Sequence, residues 1–171
     1  MKTKKIVVQS YDPQWPADFE SIRRELAAGL GKLVLRIEHV GSTSVPGLAA
    51  KAIIDIDAVI SDDCDFSAVV RALRDMGYEH EGDLGIPMRE AFRYEGKTHL
   101  RKHHLYICPE SSPELHRHLT FRDYLRTHPE AAERYSAAKR EAAQRYPNSV
   151  DDYIRCKSPC IEAIYTQCGL I

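Results

Sequence analysis

No run of apolar residues in this chain approaches the ~20 that a membrane-spanning helix requires. Near the amino terminus only Ile6-Val7-Val8 are consecutive apolar residues, too few for the apolar core of a signal peptide, so cytoplasm is the expected compartment. Disulfide chemistry is equally poorly provided for. The five cysteines, Cys64, Cys108, Cys156, Cys160 and Cys168, are odd in number and form no C-x-x-C pair, which argues against a disulfide framework and a zinc knuckle. An excess of one charge is missing too. With 24 basic and 25 acidic residues the formal charge is -1, and no global positive field draws the protein onto nucleic acid or an anionic membrane. Repeats, low-complexity tracts and linker-like composition shifts are absent. The 171 residues are therefore expected to form one domain, 1–171, with a core that buries roughly two-thirds of the unfolded surface.

What is present is an ordinary globular composition, 43% hydrophobic and 29% charged. Residues 5–9 predict a short strand, and Pro13 and Pro16 then open a helix. Along it Trp15, Phe19, Ile22, Leu26, Leu30 and Leu33 recur at steps of three and four, which places them on one face. Residues 34–40 predict a strand, 41–47 a Gly/Ser/Pro-rich turn, and 53–60 a nearly continuous apolar strand of the kind covered on both faces. Residues 66–76 predict a helix stopped by Gly77. Short strands follow from 78 to 108, with 91–94 and 103–108 as a hairpin, and then helices punctuated by Pro113, Pro129, Pro147 and Pro159. The fold class read from this order is α+β: a mixed β-sheet flanked by helices, with a helical C-terminal extension.

Only two polar residues interrupt the apolar strand at 53–60. Asp55 and Asp57 are separated by one residue, so their side chains point to the same side of the sheet. Two carboxylates that close together need compensation, and a hard cation such as Mg2+ is the usual one; a turn cap or a basic neighbour is the plainer alternative. Upstream, Val40-Gly41-Ser42 ends a strand in a turn whose exposed backbone N–H groups can accept a phosphate. A phosphate site and a metal site then lie one connection apart.

The run Glu38-His39-Val40-Gly41-Ser42-Thr43-Ser44-Val45-Pro46-Gly47-Leu48-Ala49-Ala50-Lys51, continued by Ile54-Asp55-Ile56-Asp57, closely resembles the GrpB-like (UPF0157) family of the nucleotidyltransferase superfamily. The likeness extends through Tyr11-Asp12-Pro13, Trp15, His104-Leu105, residues 121–126, Tyr135 and Lys139. The resemblance implies a nucleotidyltransferase-like fold in which Gly41 and Ser42 hold a triphosphate. It also implies that Asp55 and Asp57 bind metal, Mg2+ or Mn2+, for in-line displacement. One departure is visible. The strand from which a third carboxylate comes in that superfamily reads His103-His104-Leu105-Tyr106-Ile107 here, with His104 and Tyr106 on the inward face and no acid between them.

The reaction expected is transfer of a nucleotidyl group from a nucleoside triphosphate to an unidentified small-molecule acceptor. Asp55, Asp57 and His104 are the catalytic candidates, with Gly41, Ser42, Lys51 and Arg93 binding substrate. A module of the same fold that binds nucleotide or another anion without turnover is the alternative, motivated by the missing acid. A hydrolase or phosphotransferase acting on a small phosphorylated metabolite is a third. Arg89, Arg101 and Lys102 are read as surface charges first, and the histidines at 99, 103, 104, 116 and 118 match no helical zinc spacing. For residues 121–126 a packing role outweighs a catalytic one.

Overall fold

A computed structural model describes residues 4–171; Met1, Lys2 and Thr3, part of the lysine-containing start of the chain, lie outside the described residues. The elements follow the order α1 (Trp15–Leu30), β1 (Arg36–Val40), β2 (Ile54–Ile60), α2 (Phe66–Asp75), β3 (Tyr78–Gly82), β4 (Glu90–Tyr94), β5 (His103–Pro109), α3 (Pro113–Thr127), α4 (Pro129–Arg145) and α5 (Val150–Gln167). The five strands make one sheet in the order β1-β2-β5-β4-β3. It is mixed as expected. Only β2 and β5 run parallel, and all other neighbours are antiparallel.

The period of two along β2 sorts its residues between two environments. Ile54, Ile56, Ala58 and Ile60 join Leu105 and Ile107 of β5 in the main core, against Trp15, Ile22, Leu26 and Leu30 of α1 and Val69 and Leu73 of α2. The alternate residues Asp55, Asp57 and Val59 face the other way, where Val59 meets Cys108 and Leu115 of α3. Proline at the first turn of α1, α3 and α4 starts each helix without sacrificing a hydrogen bond.

Residues 5–9 depart from their expected strand. Gln9 makes one isolated bridge to Ala50, and Ile6 N donates to Pro147 O at 2.8 Å. Apolar β-branched composition extends this segment, but its backbone partners are irregular connections rather than another strand. Pro159 lies inside α5, not between helices, because contacts on both sides of it, through Tyr153 and Ile164, hold the helix together. The C-terminal helices are no detached extension. Leu125, Ala131, Ala132, Tyr135 and Ile164 form a second core with Val45 and Leu48 of the turn after β1.

Leu26 is fully buried between α1 and the sheet. Leu26→Ala is expected to cost about 2–5 kcal/mol of unfolding free energy in urea titration, through lost burial and a residual cavity.

Candidate active site

The ladder between β1 and β2 sets Val40 opposite Asp55 and Glu38 opposite Asp57, so the turn that follows Val40 begins beside the first aspartate. Gly41 has φ +72°, which side chains rarely adopt, and a Cβ there would lie 2.3 Å from Asp55 Oδ2. Glycine is required for both reasons. Buried His39 braces the turn: its Nε2 pairs with Thr43 Oγ1 at 2.9 Å and its ring stacks on Phe19 at 4.7 Å. From α3, Arg126 Nε donates to Ser44 O at 2.9 Å and Arg122 Nη1 to His39 O at 3.1 Å. These arginines fix backbone instead of facing substrate, in keeping with the packing role expected for 121–126.

Across the parallel ladder, His104 stands opposite Asp55 and Tyr106 opposite Asp57. His104 Nδ1 donates to Asp55 Oδ1 at 3.0 Å from a half-exposed position. Asp57 is completely buried and takes a 2.6 Å hydrogen bond from His118 Nδ1 on α3. His118 Nε2 lies 3.1 Å from Glu114 Oε1, and an imidazole that serves carboxylates at both nitrogens is doubly protonated. Burial raises the Asp57 carboxyl above its ordinary pKa, with the His118 bond opposing. Burial by itself would lower His118, but the bond to Asp57 and the charges of Asp57 and Glu114 carry it upward. Both shifts keep a proton within the pair.

The other half of the site is positive. Ser42, Lys51, Asp55, His104, Tyr106, Lys139 and Lys157 line a cavity of about 440 Å³. Lys139 is 3% exposed, yet its Nζ has only neutral partners, Ser42 Oγ and Ala49 O, and the Tyr135 ring at 4.2 Å. Burial, with Lys157 and Lys51 nearby, holds its pKa well below the usual lysine value. Lys157 is lowered to about 8 by burial and by Lys51. Three lysines thus line one cavity with Ser42, an arrangement of donors that suits an anion.

Residues 5–167 match the family described as GrpB protein. The chain belongs to the GrpB family. The UPF0157 protein YqkA of Bacillus subtilis is 33% identical over 159 residues, which cover 93% of this chain and 46% of YqkA, so the chain spans about half of that relative. The conserved protein GrpB from Enterococcus faecalis superposes with a TM-score of 0.82 at 35% identity, covering 95% of this chain and 96% of that one. A structure of the Cid1 poly(U) polymerase gives a TM-score of 0.55 at 10% identity, covering 81% of this chain and 45% of that one, a likeness of fold alone. The GrpB-family chain therefore has a nucleotidyltransferase-like α+β fold.

In this GrpB-family site, Gly41, Ser42, Lys51, Asp55, Asp57 and His104 lie together. Arg93 does not join them. It sits on the β3–β4 hairpin and gives its guanidinium to Glu79, with Nη2 at 2.7 Å from Oε2, because on this short edge pair an exposed acid directly across the ladder is its nearest partner. Glu114 and Lys157 carry no motif, and His118 and Lys139, though present in the histidine set and in the family resemblance, were not expected at the site. Lys139 did carry a signal: a lysine four residues after Tyr135 and three before Ala142 occupies the buried stripe of α4.

No group of three or more His, Cys, Asp or Glu side chains converges on a metal position among the described residues. One orphan still fits a cation: Asp57 Oδ1 is buried without a hydrogen-bond partner, on the same face as Asp55. The donors suit one hard divalent ion on Asp55 and Asp57 with phosphate oxygens completing its shell.

Gly41→Ala is expected to displace the Asp55 carboxylate and cost more stability than Gly47→Ala. Gly47 shares a positive φ, +84°, but has nothing within 4 Å of the added methyl; urea titration of the two variants gives the comparison. His39 supplies a pH test. Burial, then Arg126, lowers its pKa to about 4 from 6.5, so only the unfolded chain takes up a proton between those values. Its contribution, about 3 kcal/mol, is complete above pH 6.5 and lost as pH falls towards 4. His39→Gln should flatten that part of the stability-versus-pH curve relative to the parent.

Proposed function

We propose that this protein is a metal-dependent nucleotidyltransferase that moves a nucleotidyl group from a nucleoside triphosphate to an acceptor hydroxyl or phosphate. One observation carries the reading: Asp55, on the same strand face as buried Asp57, lines a cavity whose buried Lys139 forms no ion pair among the described residues. A buried lysine without an ion-pair partner is costly to charge, and a phosphate chain supplies such a partner. Cid1, described as a poly(U) polymerase bound to MgATP, shares the fold and supports this choice.

Ser42, Lys51, Lys139 and Lys157 would hold the β- and γ-phosphates and neutralise the departing pyrophosphate. Asp55 and Asp57 would hold Mg2+, with Mn2+ as a substitute, and the ion would supply Lewis-acid stabilisation of the phosphoryl oxygens. The acceptor oxygen attacks the α-phosphorus, the bond from that phosphorus to the bridging oxygen of the β-phosphate breaks, and pyrophosphate leaves. His104, hydrogen-bonded to Asp55 and open to solvent on its other side, would take the acceptor's proton. His118, clamped by Glu114, holds Asp57 in one rotamer and is a positioning residue.

A binding module without turnover is favoured by one feature: Tyr106 stands opposite Asp57, where no third carboxylate completes the set. Pyrophosphate release from the four ribonucleoside triphosphates with Mg2+ or Mn2+ separates the readings. The transferase reading expects release that falls to background in Asp55→Asn and Asp57→Asn and about 10–100-fold in His118→Gln. Tight nucleotide binding with no release in the parent would establish the binding module, and no nucleotide binding would end both.

A further inference from the structure

Arg89 precedes β4 and reaches the site through Tyr106, which lies opposite Asp57 and two residues along β5 from His104 at Asp55. Its guanidinium stacks 4.2 Å above the ring of Tyr106, the residue in register with Asp57. Other arginines on this side of the chain are paired: Arg93 with Glu79, Arg101 with Asp18, Arg122 with Glu38. Arg89 has no such acid among the described residues, and its Nε is shielded from solvent without an acceptor. The 83–88 connection that delivers it holds Leu84 and Met88 at positive φ, 52° and 60°, and leaves both side chains exposed. Backbone outliers of this kind persist where the surroundings fix a segment for use.

In-line displacement adds a direction. The attacking and leaving oxygens lie on opposite sides of the phosphorus, so with pyrophosphate held by Lys51, Lys139 and Lys157 the acceptor needs a separate anchor, and Arg89 beside Tyr106 offers a cation without an ion pair among the described residues. We infer that Arg89 is the acceptor-binding residue and that the acceptor carries an anionic group, a phosphate or carboxylate, which the Arg89 fork grips while Tyr106 backs it. This inference rests on the transferase reading for the identity of the ligand as an acceptor. A guanidinium presents two parallel donors to such a group, which an ammonium does not.

The probe is inorganic phosphate, titrated into 15N-labelled protein while the Arg89 Nε–Hε resonance is followed. Parent protein and the variant Lys51→Ala/Lys157→Ala, whose lysine end is weakened, should both show a saturable shift of that resonance. Arg89→Lys should bind phosphate at this end about 10–100-fold more weakly, and Arg89→Ala should lose the site, followed in both through the Tyr106 amide. Both Arg89 variants should keep nucleoside triphosphate binding by calorimetry, which a role confined to supporting the fold would not preserve. An Arg89 resonance indifferent to phosphate, or Arg89→Ala binding phosphate at the Tyr106 end as the parent does, overturns the inference. Loss of triphosphate binding in the parent while the Arg89 shift remains would instead remove the nucleotidyl reading and leave an anion site at Arg89.

Discussion

A carboxylate with no exposed surface must be given a counter-charge, and Asp57 receives its own from a helix that follows β2 by more than half the sheet. The 2.6 Å bond from His118 ties α3 to the centre of the β2 strand, and Glu114 holds the far side of the imidazole. Breaking one partner of such a buried pair leaves an uncompensated charge, a penalty of about 3–5 kcal/mol. The sheet and the C-terminal helices are thus joined electrostatically at the same place where Val59, Cys108 and Leu115 join them by packing. One oxygen of Asp57 is left over, and it faces the side on which Asp55 stands.

The positive half of the cavity is assembled from three separated parts of the chain. Lys51 follows the turn after β1, Lys139 comes from α4 and Lys157 from α5. Burial first, and then the neighbouring lysines, lower the pKa of Lys139 and Lys157, so their protons are held less firmly than a surface lysine's. A polyanion reverses both effects, because it provides the missing opposite charge.

Much of the fold was legible from periodicity. The α1 stripe from Trp15 to Leu30, the helix ended by Gly77, and the antiparallel pair β4–β5 follow from local pattern and turn chemistry. The extended 5–9 segment and Pro159 were misread for a shared reason: which partner a backbone group finds is a tertiary matter. Arg93, on the hairpin, is expected close to the site from its place in the chain, but strand register pairs it with Glu79.

The sequence by itself determined that Asp55 and Asp57 share a face and that a glycine–serine turn enters just ahead of them, because a strand alternates with period two and a turn needs residues that can bend. Lys139 entered that reading only through the family resemblance, and its burial on α4 was decided by packing. Only the tertiary structure decided that His118 meets Asp57, that three lysines line one cavity with Ser42, and that Arg89 lies over Tyr106. These pairings join residues up to 97 positions apart, as Lys139 and Ser42 are. At such separations local propensity carries no information, and only the packing of α3, α4 and α5 onto the sheet fixes which charges become neighbours.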